Sequence, residues 1–329
     1  MTHLFGKVFA AAIFTLFAFI SPANAANSAK TGEACANDDK TLNYTDAVVL
    51  GGVEGLTEYL PVSSTGHLIL ADRVLGLDDS GKNAKGAPKS EKARAVDAYC
   101  IVIQIGAIAA VAILYWQDIL SILIGFLGRD KNGLKLGINL IIAFIPAAFF
   151  GFLLSNWIES KLFGPIPVAI ALALGAPLMI GVEKWRRKKL AQPGAALVPE
   201  KELCEITPVE AASVGLLQCV AMWPGTSRSM MTITGGYLIG LAPAKAARFS
   251  FLLGLVTLSA ATGFTILKHG HEMADILQPG PVLVGLVVAM ITAALSVKWL
   301  VGFLSRKGLA PFAYYRIIVA IAILTIIFI

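Results

Sequence analysis

Glu54 and Glu58 stand four residues apart within the apolar run 47–60, a spacing that sets both carboxylates on one face of a helix. Two like charges in apolar surroundings repel and are costly, so the pair holds a divalent cation, shares a proton or faces an aqueous pocket. Pro61 stops that helix, and Ser63, Ser64, Thr65, Gly66 and His67 follow at the start of the next helical piece, 68–75. Free N–H groups at a helix start favour an anion. Ser64 and His67 are three residues apart, close enough on a first turn for the imidazole to take the hydroxyl proton or to attack phosphorus itself. Far along the chain, Arg228 sits between apolar runs in the stretch Trp223 to Thr232, and a guanidinium there needs an anionic partner. That partner is either a substrate phosphate or, in a resting ion pair that substrate displaces, Glu54 or Glu58. Pro224 and Gly225 set up a turn, and Ser227, Ser229 and Thr232 supply donors around another helix start. Carboxylates, a Ser/His pair, an arginine and two helix starts together describe a phosphate site, because phosphoryl transfer asks mainly for positioning and charge neutralisation.

The elements that must hold these residues are membrane helices. Hydrophobic residues make up 57% of the 329-residue chain and charged residues 15%, with mean hydropathy +0.74, whereas an ordinary soluble domain is roughly a quarter charged. Apolar runs predict spans at about Ala98–Trp116, Gly137–Trp157, Pro167–Trp185, Arg248–Leu267, Pro281–Phe303 and Ala310–Ile329. The net charge of +6 does not indicate nucleic acid. Its Lys and Arg residues gather in the short loops Arg129–Lys135, Lys184–Lys201 and Arg306–Lys307, which the positive-inside rule puts in the cytoplasm. Residues 1–25 read as a cleaved secretory signal peptide and 26–43 as a polar extracytoplasmic segment. Trp116, Trp157, Trp185 and Trp299 read as interfacial anchors, and His269 and His271 as part of a solvated outer loop.

Two apolar segments, Tyr44–Leu77 and Pro208–Leu241, cannot be simple spans without inverting the basic loops, and each has turn-forming residues at its centre. They read as re-entrant, since irregular backbone at membrane depth survives only where protein or a wet cavity satisfies it. Setting Asp46 against Glu210, Gly51 against Gly215, Glu54 against Gln218 and Pro61 against Pro224, with one single-residue gap, relates two halves, 44–185 and 206–329, across a basic linker, 186–205. The expected fold is an all-α polytopic integral membrane protein with six transmembrane helices plus two re-entrant helical hairpins in an inverted-topology repeat, the site lying near the midplane. The residues alone carry the reading as far as an intramembrane phosphoryl-transfer or phosphate-binding protein.

Two stretches add a resemblance. Glu54-Gly-Leu-Thr-Glu58-Tyr-Leu-Pro-Val-Ser-Ser-Thr-Gly-His67 and Pro224-Gly-Thr-Ser-Arg-Ser-Met-Met-Thr232 are similar to the two signatures of the undecaprenyl-diphosphate phosphatase family, also called the bacitracin-resistance family. Gln104 in its Ile-Gln-Ile-Gly context and the stretch Phe249–Leu253 resemble it too, and the likeness covers most of 46–329. The resemblance implies hydrolysis of undecaprenyl diphosphate to the monophosphate and orthophosphate, with a divalent cation such as Mg2+ or Ca2+, at a site open to the periplasmic side of the bacterial cytoplasmic membrane. By the same analogy Glu54 and Glu58 bind the metal or do acid/base work, Ser64 or His67 is the nucleophile, and Arg228 stabilises the phosphate. Ser63, Thr65, Gln104, Ser227, Ser229 and Thr232 are the substrate-binding candidates. The implied partners are the polyprenyl diphosphate lipid and membrane lipids, without nucleic acid; the oligomeric state is open, a homodimer included. A polyprenyl-phosphate transporter or flippase is the alternative that broken helices suggest. Type-2 phosphatidic acid phosphatases fit poorly, because the next histidine after Arg228 is His269.

Overall fold

The computed structural model describes residues 42–77, 91–193 and 200–328. The signal-peptide reading of 1–25 and nearly all of the polar segment 26–43 lie outside them. The described residues are helical, without strands. A pair of short helices, α1 (Tyr44–Thr57) and α2 (Ser64–Val74), is followed by α3 (Glu91–Leu114), α4 (Trp116–Phe126), α5 (Lys131–Leu162) and α6 (Pro165–Leu190). After a short 3-10 turn comes a second short pair, α7 (Pro208–Val220) and α8 (Arg228–Leu238), and then α9 (Pro243–Ile276), α10 (Pro279–Lys307) and α11 (Ala310–Phe328). Six helices, α3, α5, α6, α9, α10 and α11, are long and apolar enough to cross a membrane. The members of the short pairs have 14 and 11 residues, then 13 and 11, below the roughly 20 that a span requires.

Local chemistry explains these boundaries. α1 starts at a capping box between Asn43 and Asp46, α7 at one between Thr207 and Glu210, each satisfying two N–H groups that a helix start leaves free. Proline opens α6, α7, α9 and α10, where its missing N–H removes no helical bond. Ser63 and Ser227, directly before α2 and α8, have φ of 72° and 74°, and no other non-glycine residue among those described has positive φ. Such backbone costs about 1–3 kcal/mol and persists only where the surroundings enforce it.

The two short pairs are braced crosswise. α1 packs on α10, and α7 on α5; α6 lies against α11, and α3 against α9. Glycines permit the crosswise contacts: a Cβ on Gly51 would come within 2.6 Å of the Gly285 carbonyl oxygen, and one on Gly215 would strike that of Ala143. Ser63 and Ser227 fall at the same spacing as Asp46 and Glu210, so the pairs correspond without the gap that aligning Pro61 with Pro224 required.

Other boundaries differ from expectation. α3 breaks at Tyr115 and a separate helix, α4, precedes the loop before α5. His269 and His271 belong to α9 rather than to a loop. α10 continues past Trp299, which packs on Phe303 and Phe312 instead of marking a helix end.

Candidate active site

The turns between the members of each short pair meet. Ser229 donates to the Leu60 carbonyl at 2.7 Å, and Ser227 to the same oxygen at 3.4 Å, tying the start of α8 to the turn after α1. Around this junction lies a cavity of about 180 Å³ whose lining includes Glu58, Ser63, Ser64, Thr65, Ser227 and Arg228. Gln104 and Leu258 close it from α3 and α9. Both positive-φ serines therefore face one space. Its volume is below the roughly 300–1,000 Å³ of sites that enclose a whole drug-sized ligand, so it suits an ionic headgroup whose apolar chain lies elsewhere.

Glu58 is the hub. Its Oε2 accepts the Ser64 hydroxyl at 2.7 Å, and its Oε1 accepts Arg228 Nη2 at 3.1 Å. The ion pair anticipated as one reading of Arg228 thus forms, with Glu58 as partner, and both side chains are nearly enclosed, 10% and 7% exposed. Arg228 also donates to the Ser250 carbonyl at 3.1 Å, and its guanidinium sits 5.1 Å from the centre of the Tyr59 ring. Its Nε is buried with no acceptor among the described residues. Glu54 lies one helical turn before Glu58, 1% exposed. It accepts a long contact, 3.4 Å, from Gln104, whose carbonyl in turn accepts the Thr262 hydroxyl at 2.9 Å.

The profile of the family described as bacitracin resistance protein BacA matches residues 47–322. The undecaprenyl-diphosphatase of Sorangium cellulosum (strain So ce56) is 46% identical over 275 residues, covering 83% of this chain and 82% of that one. Those of Clostridium tetani and Acidovorax ebreus are 39% and 40% identical, covering 84% and 86% of this chain and 94% and 95% of theirs. The chain belongs to the BacA family.

In this BacA-family chain the expected Ser64–His67 couple does not form. His67 Nδ1 lies 2.7 Å from the Ser63 carbonyl and Nε2 2.7 Å from the Tyr315 hydroxyl. A carbonyl only accepts, so Nδ1 carries the hydrogen and the neutral ring's Nε2 accepts from Tyr315. Both nitrogens are used in holding the turn. Ser229 and Thr232, fully buried, do not line the cavity. Ser229 bonds to Leu60, and Thr232 to the Arg228 carbonyl at 2.9 Å and the Ser250 hydroxyl at 2.6 Å. They position Arg228 rather than face the cavity.

The span α11 was expected, but its Arg316 was not singled out. Arg316 is fully buried, and its guanidinium donates to carbonyls at both turns, Gly225 at 3.0 Å and, more weakly, Pro61 at 3.5 Å. It also donates to Ala171 at 3.1 Å and Leu172 at 3.2 Å on α6. Gly175 leaves room for it, since a Cβ there would collide with the guanidinium. The available signal was an arginine inside an apolar run, which is costly unless it has a task.

Proposed function

We propose that this chain hydrolyses undecaprenyl diphosphate to undecaprenyl phosphate and orthophosphate, returning the lipid carrier to cell-wall synthesis. The carrying observation is Glu58, whose two oxygens receive a hydroxyl from one helix pair and a guanidinium from the other at the edge of a headgroup-sized cavity. The names of the relatives support the same chemistry and favour it over transport. The proposal includes a bacterial cytoplasmic membrane location with the cavity reached from the periplasmic side. It also includes re-entrant pairs in an inverted repeat, which the matched caps, matched serines and crosswise packing support.

The residues divide the work as follows. Ser64 Oγ attacks the terminal phosphorus while Glu58 Oε2 takes its proton, a general-base role that fits the 2.7 Å bond. Undecaprenyl phosphate leaves. Water then displaces orthophosphate from Ser64, and Glu58 returns the proton to Oγ. Substrate draws Arg228 from its resting pair with Glu58, and the unpaired Nε is ready to donate to a phosphate oxygen. His67, Tyr315 and Arg316 hold the turns in register.

Glu54 and Glu58 are the residues that would hold a divalent cation. No group of three acidic, histidine or cysteine side chains suited to a metal occurs among the described residues. Two carboxylates would supply the oxygen donors that Mg2+ and Ca2+ both prefer. Such an ion, when bound, would neutralise charge on the diphosphate. The test is orthophosphate release from undecaprenyl diphosphate by purified protein in detergent, where no second compartment exists. Release that stops on chelation and returns with Mg2+ is expected. Bound lipid without release contradicts the hydrolase reading.

A further inference from the structure

A second cavity, which the candidate site does not use, lies at the C-terminal end of α3. It measures about 630 Å³ and is lined by Ile113–Asp118 at the α3–α4 junction, by Ala244, Lys245 and Arg248 of α9, and by Val301 of α10. Asp118 holds one edge of the Arg248 guanidinium, accepting from Nε at 2.9 Å and from Nη2. Nη1, on the other edge, bonds to nothing among the described residues, and the side chain is 47% exposed. A guanidinium gripped along one edge presents its remaining donors in a fixed direction, the geometry suited to a phosphate. Lys245 stands one turn before it, paired with Glu202 at 2.9 Å and Glu200 at 3.3 Å. The first turn of α9 has no side-chain cap, so its N–H groups add partial positive charge to the same wall.

The surroundings show what carries the phosphate. Trp116, Leu120 and Leu123 follow one another along α4 at helical spacing, Leu127 continues the row as its C-cap, and all are exposed. Ile113, 66% exposed, extends that apolar strip onto α3 beside the cavity. A short helix with such a face lies in a membrane interface. This is also the basic end of the molecule, where α5 begins at Lys131, α6 ends in Arg187, Lys188 and Lys189, and α10 ends in Arg306 and Lys307. A charged recess opening beside an apolar strip at the basic end matches an amphiphile, head inward and chains alongside.

We infer that this cavity binds the phosphate headgroup of an anionic phospholipid from the leaflet at the basic end, with its chains along Ile113 and the α4 strip. The site is separate from the proposed phosphatase site and takes a different lipid. The test is native mass spectrometry of the purified full-length protein with added phosphatidylglycerol, phosphatidylcholine or inorganic phosphate. Wild type is compared with the paired variant Asp118→Asn/Arg248→Gln, which removes both charges and strands neither, and with Lys245→Gln. Wild type should retain phosphatidylglycerol roughly tenfold over phosphatidylcholine, as two basic groups at a membrane surface warrant. In the paired variant, eluting as a single sharp peak, the preference should fall below about twofold. Lys245→Gln should show a smaller fall, and decides the matter if the paired variant aggregates. Equal retention of the two lipids by wild type, or unchanged preference in the variants, overturns the inference. Displacement of phosphatidylglycerol by millimolar inorganic phosphate also overturns it, since that assigns the cavity to the free anion.

Discussion

The pair α1–α2 and the pair α7–α8 share a capping box at their start, a glycine pressed on a neighbouring helix and a left-handed serine before the second helix. On that common frame the side chains diverge. Glu54 stands where the second pair has Gln218, and Ser64, the first residue of α2, where the second pair has Arg228, the first of α8. At the cavity the first pair thus brings the Glu58 carboxylate and the Ser64 hydroxyl, the second the Arg228 guanidinium. A buried carboxylate and a buried guanidinium are each expensive alone, and pairing Glu58 with Arg228 at one cavity reduces that cost. Likeness in backbone and opposition in charge are therefore two halves of one requirement.

This comparison can be broken at graded depth. Ser64→Ala removes the proposed nucleophile, and orthophosphate release should fall on the order of 10⁴-fold with the fold retained. Arg316→Lys keeps a charge but cannot fork across both turns. Misplacing them should slow turnover about 10²-fold, since shifts near 1 Å carry such effects. Tyr315→Phe leaves His67 Nε2 without its donor, which should lower stability by about 1–3 kcal/mol. Its turnover should fall by less than about tenfold if His67 only positions; a loss matching Ser64→Ala would mean that the histidine does chemistry. Gly51→Ala and Gly215→Ala test the shared frame instead. Each should lower thermal stability by a similar amount, about 1–3 kcal/mol from overpacking against backbone, and strongly unequal effects would separate the two pairs.

How much of this was legible depends on the range of each interaction. The six long helices follow from apolar runs, and Glu54, Glu58, Ser64 and Arg228 from charged and hydroxyl groups standing out against them. The pairing of Arg228 with Glu58 was one of two readings, because sequence spacing says nothing about which of two neighbouring carboxylates a distant guanidinium reaches. The Ser64–His67 couple was inferred from spacing alone. It gave way because Tyr315, 248 positions away, and the adjacent Ser63 carbonyl take both ring nitrogens. Arg316 was hidden for a related reason: its four acceptors are backbone carbonyls, which leave no trace in side-chain identity. Helix α4 was hidden by continuity, its apolar residues merging with those of α3 across Tyr115.

The measurement closest to the central claim is orthophosphate release from undecaprenyl diphosphate by Glu58→Gln and Arg228→Gln, each checked for a wild-type elution profile and thermal transition. The two residues come from different helix pairs and meet at 3.1 Å. If the pairs build one site, each variant should lose roughly 10²–10⁴-fold in turnover, as removal of a general base or of a preorganised charge does. A folded variant of either kind that releases phosphate at the wild-type rate contradicts the account.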